Sequence, residues 1–266
     1  NRKMNKYTLR EKIEKNLEIL NNGLVGKEKV MKLGLLSILS GENMILVGPP
    51  GTAKSEISRR LREILADTDS ETYFEYLFTK FTTPEEIFGP LSIKQLQNDK
   101  FERNTEGYMP SSRIVFLDEI FKANSSILNT LLTILNERVF HNGLKREKTP
   151  LISLIGASNE LPFENDELTA LYDRFLIRVV VGYVSDDEIE MLLNGVKPIN
   201  YFYYVLFCIA VYTGMRYGEI TGLTWENIDL DNNTINVVQQ FATIGYNKYA
   251  LKGLRIVTAY YLYRQY

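Results

Sequence analysis

Apolar residues recur at helical spacing almost from the start of the chain. Leu9, Ile13, Leu17 and Leu20 share one face behind Thr8-Leu9-Arg10-Glu11, a capping box in which the first and last residues satisfy each other's free amides. Residues 27–40 repeat the helical pattern and stop before Gly41. Residues 43–47 form a short apolar run that breaks at Gly48-Pro49-Pro50-Gly51, and 53–65 return to helical spacing. Tyr73–Leu77 reads as a strand. Thr83-Pro84-Glu85-Glu86 starts a helix, with a cap, a proline at the first helical position and acidic residues in the first turn. Residues 89–112 are polar and turn-rich. A buried strand is predicted at 114–117, and a helix at 124–135 with Ile127, Leu128, Leu131 and Leu135 inward. Two more β-branched strands are predicted at 151–157 and 175–181. Strands alternating with helices imply an α/β fold, a parallel sheet covered on both faces.

After Pro198 the pattern changes. Residues 201–212 read as an apolar helix, 214–223 as a short polar one and 234–240 as a strand, so helices lead into a hairpin. Composition breaks at the same place. Residues 196–266 hold 6 of the 31 Lys and Arg, 4 of the 33 Asp and Glu, and 11 of the 17 Tyr. The first part carries about −4 and the second about +2 of the net −2. Such a break predicts two units, 1–195 and 196–266.

The whole chain, 266 residues with 45% hydrophobic and 24% charged, is ordinary for a globular protein, which excludes disordered, collagen and coiled-coil classes. No apolar run approaches the ~18 residues that span a bilayer. The basic start, 1–15, lacks the apolar core of a signal peptide. No membrane partner and a cytoplasmic setting are therefore expected. One cysteine, Cys208, excludes an internal disulfide framework, and one histidine, His141, excludes a His-rich metal site. Cys208 reads as a small core residue, Trp225 as packing for the second unit, and Arg59, Arg60 and Arg62 as a solvated helix face.

Gly48-Pro49-Pro50-Gly51-Thr52-Ala53-Lys54-Ser55 lies between a predicted strand and a predicted helix, the context a phosphate-binding loop needs. Small residues let backbone amides wrap phosphates, and the helix N-terminus adds a favourable dipole. Lys54 would reach the β- and γ-phosphates of ATP, and the Ser55 hydroxyl would bind Mg²⁺. Ala53 stands where glycine is usual. About 60 residues on, Ile114-Val115-Phe116-Leu117-Asp118-Glu119 delivers two carboxylates at the C-terminal end of a strand, where ligands of parallel sheets sit. Asp118 would hold Mg²⁺ and Glu119 would polarise the attacking water. This is the outline of an NTPase site.

Residues 9–193 resemble the AAA+ ATPases of the MoxR group, in particular its RavA branch. The resemblance is carried by Leu24-Val25-Gly26-Lys27-Glu28, the loop itself, and Phe81-Thr82-Thr83-Pro84-Glu85-Glu86-Ile87-Phe88-Gly89-Pro90. The block 116–136, Gly156-Ala157-Ser158-Asn159-Glu160 and Leu171-Tyr172-Asp173-Arg174-Phe175 complete it. It implies a P-loop AAA+ core that hydrolyses ATP, remodels protein partners in a chaperone-like way and assembles as a hexameric homo-oligomer. Asn159 is similar to the sensor asparagine that helps Glu119 orient water. Arg174 is similar to the arginine finger that reaches a neighbour's γ-phosphate; its alternative is an ion pair with Asp166 or Asp173. Residues 89–112 and the hairpin at 138–149 resemble inserts that line a central pore or contact substrate.

That family closes over the nucleotide with a C-terminal helical lid. Here residues 203–240 resemble tyrosine recombinases, the phage and transposon integrases, through Thr213-Gly214-Met215-Arg216-Tyr217-Gly218-Glu219-Ile220, Gly222-Leu223-Thr224-Trp225 and 228–235. By that match Arg216 is similar to the first arginine that clamps the scissile phosphate and Glu219 to its supporting acid; Lys252 corresponds loosely to the hairpin lysine. No histidine follows His141, and Tyr260, Tyr261, Tyr263 and Tyr266 come too early to be the nucleophile. The expected whole is an ATPase lacking its lid, fused to an inactive recombinase-like segment; the alternative is a DNA-integration protein with an incomplete catalytic domain that binds DNA weakly.

Overall fold

In the computed structural model, residues 8–63, 73–162, 166–241 and 248–258 are described. The first unit, Asn1–Val184, runs α1 (Leu9–Asn21), α2 (Glu28–Ser40), β1 (Met44–Val47), α3 (Lys54–Glu63), β2 (Tyr73–Leu77), α4 (Pro84–Phe88), α5 (Ile93–Leu96), β3 (Ile114–Asp118), α6 (Ser125–Glu137), β4 (Val139–Asn142), β5 (Lys145–Lys148), β6 (Ser153–Ser158), α7 (Asp166–Tyr172) and β7 (Ile177–Val180). Five strands form one parallel sheet in the order β2-β3-β6-β1-β7. Period-two geometry divides their side chains between two cores. Ile45, Val47, Val115, Leu117 and Leu154 face Ile127, Leu128, Leu131, Ile134 and Leu135 of α6. Met44, Leu46, Ile114, Phe116, Ile155 and Ala157 face Leu20 of α1, Val30, Met31, Leu35 and Ile38 of α2, and Ile57 and Leu61 of α3. Each of these side chains other than Ala157 contributes about 1.5–3 kcal/mol of gross stabilisation. Helices on both faces give the α/β layering that the alternation implies.

The capping signals act as read. Thr8 and Glu11 close a box on α1, and Thr83 and Glu86 close another on α4 with Pro84 at its start. Leu9 departs from its expected face and lies exposed in the first turn of α1, beside the exposed cap residue Thr8. The Arg59–Arg62 run is also not one solvated face. Arg60 is only 20% exposed; it pairs with Glu56 and donates to the carbonyls of Leu20 and Asn22, fastening the end of α1 to α3. Strands β6 and β7 start two residues later than their apolar runs. Leu151 and Phe175 are buried, yet they serve turns, and the Phe175 ring packs where a side chain on Gly156 would stand.

The second unit, Ser185–Tyr266, holds α8 (Asp186–Val196), α9 (Tyr201–Thr213), α10 (Tyr217–Thr221), β8 (Ile228–Asp229), β9 (Thr234–Phe241) and β10 (Lys248–Thr258). The strands form an antiparallel sheet ordered β10-β9-β8. A small core of Met215, Ile220, Ile235 and Val237 gathers Leu206, Ile209 and Ala210 from one side of α9. The first turn of α9 leaves Tyr201, Phe202 and Tyr203 exposed. Trp225 corrects its expectation. It is 81% exposed on a single 3-10 turn, because the core beneath it is too small to cover an indole. Cys208 is half-buried rather than a core residue. Lys252, and Tyr260 onward, lie outside the residues whose side chains are described. Among the described residues, no helix is long and apolar enough to cross a membrane.

Candidate functional site

Three neighbouring strands, β3, β6 and β1, end on the same edge of the parallel sheet. Each delivers one part of a cleft: Asp118 and Glu119 from β3, Asn159 from β6 and the Gly48–Ser55 loop from β1. The cleft is about 290 Å³ and is lined by the loop, Asp118, Glu119 and Asn159. Ligands of open parallel sheets gather at this edge.

The loop is tied down at its start. The Gly48 amide donates to Ser158 O at 3.1 Å, joining β1 to the end of β6. A side chain on Gly48 would stand 2.0 Å from the Val181 carbonyl, so only glycine lets the loop leave the strand here. Thr52 Oγ1 donates to Pro49 O at 2.9 Å and braces the turn. Ala53 has φ +66°, the left-handed region that favours the glycine usual at this place. Lys54 then opens α3, so the free amides of the helix N-terminus face the cleft.

Lys54 is 7% exposed, and its ammonium has three acceptors: Gly48 O at 2.7 Å, Pro49 O at 3.0 Å and Asn159 Oδ1 at 2.8 Å. Burial pushes its pKa below the ordinary lysine value, while the charges of Asp118 and Glu119 push it back up. Ser55 Oγ donates to Asp118 Oδ2 at 3.2 Å, which joins two hard oxygen ligands of the kind Mg²⁺ takes. Asp118 Oδ1 accepts from the Glu119 amide at 2.9 Å. Glu119 itself has φ +53°, uncommon for a residue with a side chain and frequent at functional sites. Its Oε1 accepts from Asn159 Nδ2, and its Oε2 lies 3.4 Å from Lys122 Nζ. Lys54, Ser55, Asp118, Glu119 and Asn159 are therefore together.

Arg174 is elsewhere. It lies exposed in the turn before β7, and its carbonyl accepts from Asn43 Nδ2, just ahead of β1. Asn43 and Gly48 are separated by the length of β1, about 16 Å at ~3.3 Å per residue. Arg174 thus sits at the opposite edge of the sheet from its own chain's cleft. Asp173, one of its suggested partners, pairs with Arg178 at 3.0 Å instead; the Asp166 side chain lies outside the described residues.

In the second unit, Arg216 N donates to Glu219 Oε2 at 2.9 Å, and the guanidinium lies 3.5 Å from Oε1. Glu219 is buried and the Arg216 side chain is 82% exposed, so the acid holds the base of an arginine whose head meets solvent.

The model of the MoxR domain in the MoxR-vWA-beta-propeller ternary systems matches residues 11–201. The chain belongs to the MoxR family. Its C-terminal region matches the phage integrase family over residues 183–259, so α8 falls within both matches. An uncharacterised protein of Methanocaldococcus jannaschii is 55% identical over 178 residues, covering 66% of this chain and 46% of that one. The chaperone MoxR1 of Mycobacterium tuberculosis is 27% identical over 181 residues, covering 66% and 46%. A crystal structure of an ATPase candidate from Cytophaga hutchinsonii shares the fold, with a TM-score of 0.52 and 21% identity over 72% of this chain and 57% of that one. The chain spans about half the length of the curated relatives it matches. The MoxR match covers every residue brought to the cleft and also Arg174.

Lys122 escaped the sequence reading. A basic residue three positions after a site carboxylate is the signal for it, but only the 3-10 turn of Ile120–Lys122 shows that it folds back.

Proposed function

We propose that residues 1–195 bind ATP with Mg²⁺ and hydrolyse it as a cytoplasmic, chaperone-like remodeller of a protein partner, and that 196–266 are a truncated recombinase-like segment. The convergence of Lys54, Ser55, Asp118, Glu119 and Asn159 at the ends of β3, β6 and β1 carries this reading. Gly48, Pro49, Pro50, Gly51, Thr52 and Ala53 would present backbone amides to the phosphates, and Lys54 would take a charge-assisted contact. Ser55 and Asp118 would hold Mg²⁺, which supplies charge neutralisation on the phosphates. Glu119 would accept the proton of the attacking water, with Asn159 fixing its orientation. The printed name of MoxR1 supports the chaperone-like part.

The position of Arg174, opposite its own cleft, supports a role in a neighbour's site and so a ring, hexameric in the family. The residues that follow the core match the integrase family where the resemblance expects a lid, so ring closure should be weak. The ATPase rate per chain should stay low and nearly flat as protein concentration rises. Arginine fingers are worth about 10³–10⁵ in rate, so a steep rise abolished by Arg174→Ala would show instead that rings form. No ATP binding and no phosphate release at any concentration would remove the ATPase reading.

A second reading, DNA contact through residues 203–240, is favoured by the integrase match and by the solvent-facing head of Arg216. Residues 196–266 carry only about +2, and within 203–240 Arg216 is the one basic residue against Glu219, Glu226, Asp229 and Asp231; phosphate contacts supply most non-specific affinity. Binding should be weak at most, with a shallow salt dependence and without strand cleavage. A covalent adduct on an integrase suicide substrate would overturn this.

A further inference from the structure

Glu119 stands between two cavities. Lys54, Ser55 and Asp118 line only the one on the loop side, and Lys122 lines only the other, about 380 Å³; Glu119 and Asn159 line both. The carboxylate is engaged from each side. Asn159, itself bound by Lys54, donates to Oε1, and Lys122 lies 3.4 Å from Oε2.

The backbone makes the second contact recurrent. Glu119 caps the 3-10 turn Ile120–Lys122, and the Lys122 amide donates to Glu119 O at 2.8 Å. Ile120 is fully buried, and Phe121 packs on Tyr172 with ring centroids 6.2 Å apart. With both neighbours anchored, Lys122 is returned to its own carboxylate at i,i+3. Glu119 is 14% exposed and Lys122 48%, so the pair is screened on one side only.

A carboxylate oxygen shared with an ammonium is a poorer acceptor for a water proton, and it is drawn away from the loop side. From this geometry we infer that Lys122 is a positioning residue that parks Glu119 away from attacking water, setting a low resting turnover. The inference rests on the ATPase reading above. The latch is weak by construction, since a half-exposed ion pair at helical spacing shifts an equilibrium by no more than about fivefold. Small rearrangements of the outer cavity would therefore suffice to release it.

The test compares kcat and KM for ATP in the full chain, Lys122→Met and Lys122→Arg. Methionine keeps the length and packing of the stem while deleting the charge. Lys122→Met should raise kcat about two- to fivefold with KM unchanged, and Lys122→Arg should restore the resting rate. In a Glu119→Gln background, Lys122→Met should change nothing. An unchanged or lower kcat for Lys122→Met overturns the latch, as does an equal gain in the Glu119→Gln background. Absence of turnover in every chain overturns the ATPase reading and the latch with it.

Discussion

Glu119→Gln should leave ATP bound and slow its hydrolysis about 100-fold or more. The substitution preserves shape, and a glutamine oxygen can still accept from Asn159 Nδ2 as Oε1 does now. The left-handed backbone at 119 and the hydrogen bond from its amide to Asp118 are also indifferent to the change. What is lost is the negative charge that draws a proton from water, and positioned general bases contribute about 10²–10⁴-fold. Affinity should hold, because in the proposed site Lys54 and the loop amides would make the phosphate contacts. Equilibrium binding of ATP beside single-turnover phosphate release separates the two effects. Equal loss of binding and turnover would make Glu119 a structural residue.

Lys54→Ala should weaken ATP binding about 10- to 150-fold, the equivalent of roughly 1.5–3 kcal/mol for a lost hydrogen bond to a charged group. The nucleotide-free chain should scarcely notice. Burial lowers the folded pKa of Lys54, so the charged form is disfavoured by folding, even with Asp118 and Glu119 opposing. The sign follows from linkage. Below its ordinary pKa the unfolded chain binds that proton more readily than the folded one, so the group costs stability at neutral pH. That cost disappears as pH rises through the unfolded value. Deleting the ammonium removes both this cost and three hydrogen bonds, so the melting temperature should move by under about 3 °C. Titration calorimetry with a thermal scan measures both. An unchanged dissociation constant would sink the loop assignment.

The cleft was largely legible because its chemistry needs contiguous residue types. A strand, a run of small residues and Lys54-Ser55 must adjoin for amides and ammonium to reach one phosphate, and Asp118-Glu119 must end another strand of the same sheet, here two places away. Asn159 and Arg174 carry no such local constraint and came through resemblance. The interactions that depend on tertiary approach were not legible. Arg60 looked solvated because periodicity cannot show that α1 ends against it. Trp225 looked like core because a single aromatic among polar residues has no period from which to judge its side. The apolar runs at 151–157 and 175–181 overran their strands, since apolarity marks burial and not ladder pairing. In α9, apolar residues on every face left its buried side unspecified, and only Leu206, Ile209 and Ala210 pack inward.

The strand order has a thermal meaning. β3, β6 and β1 are flanked on both sides by other strands, whereas β7 is an edge with one partner. Proteins open from their edges first, in cooperative pieces well below the global transition. The cleft parts sit at the ends of the sheltered strands, and Arg174 sits on the segment that precedes the edge strand. As the chain warms, the turn that carries Arg174 should loosen before the cleft does, so a contact it made with a neighbour would be lost while the proposed nucleotide pocket still stood.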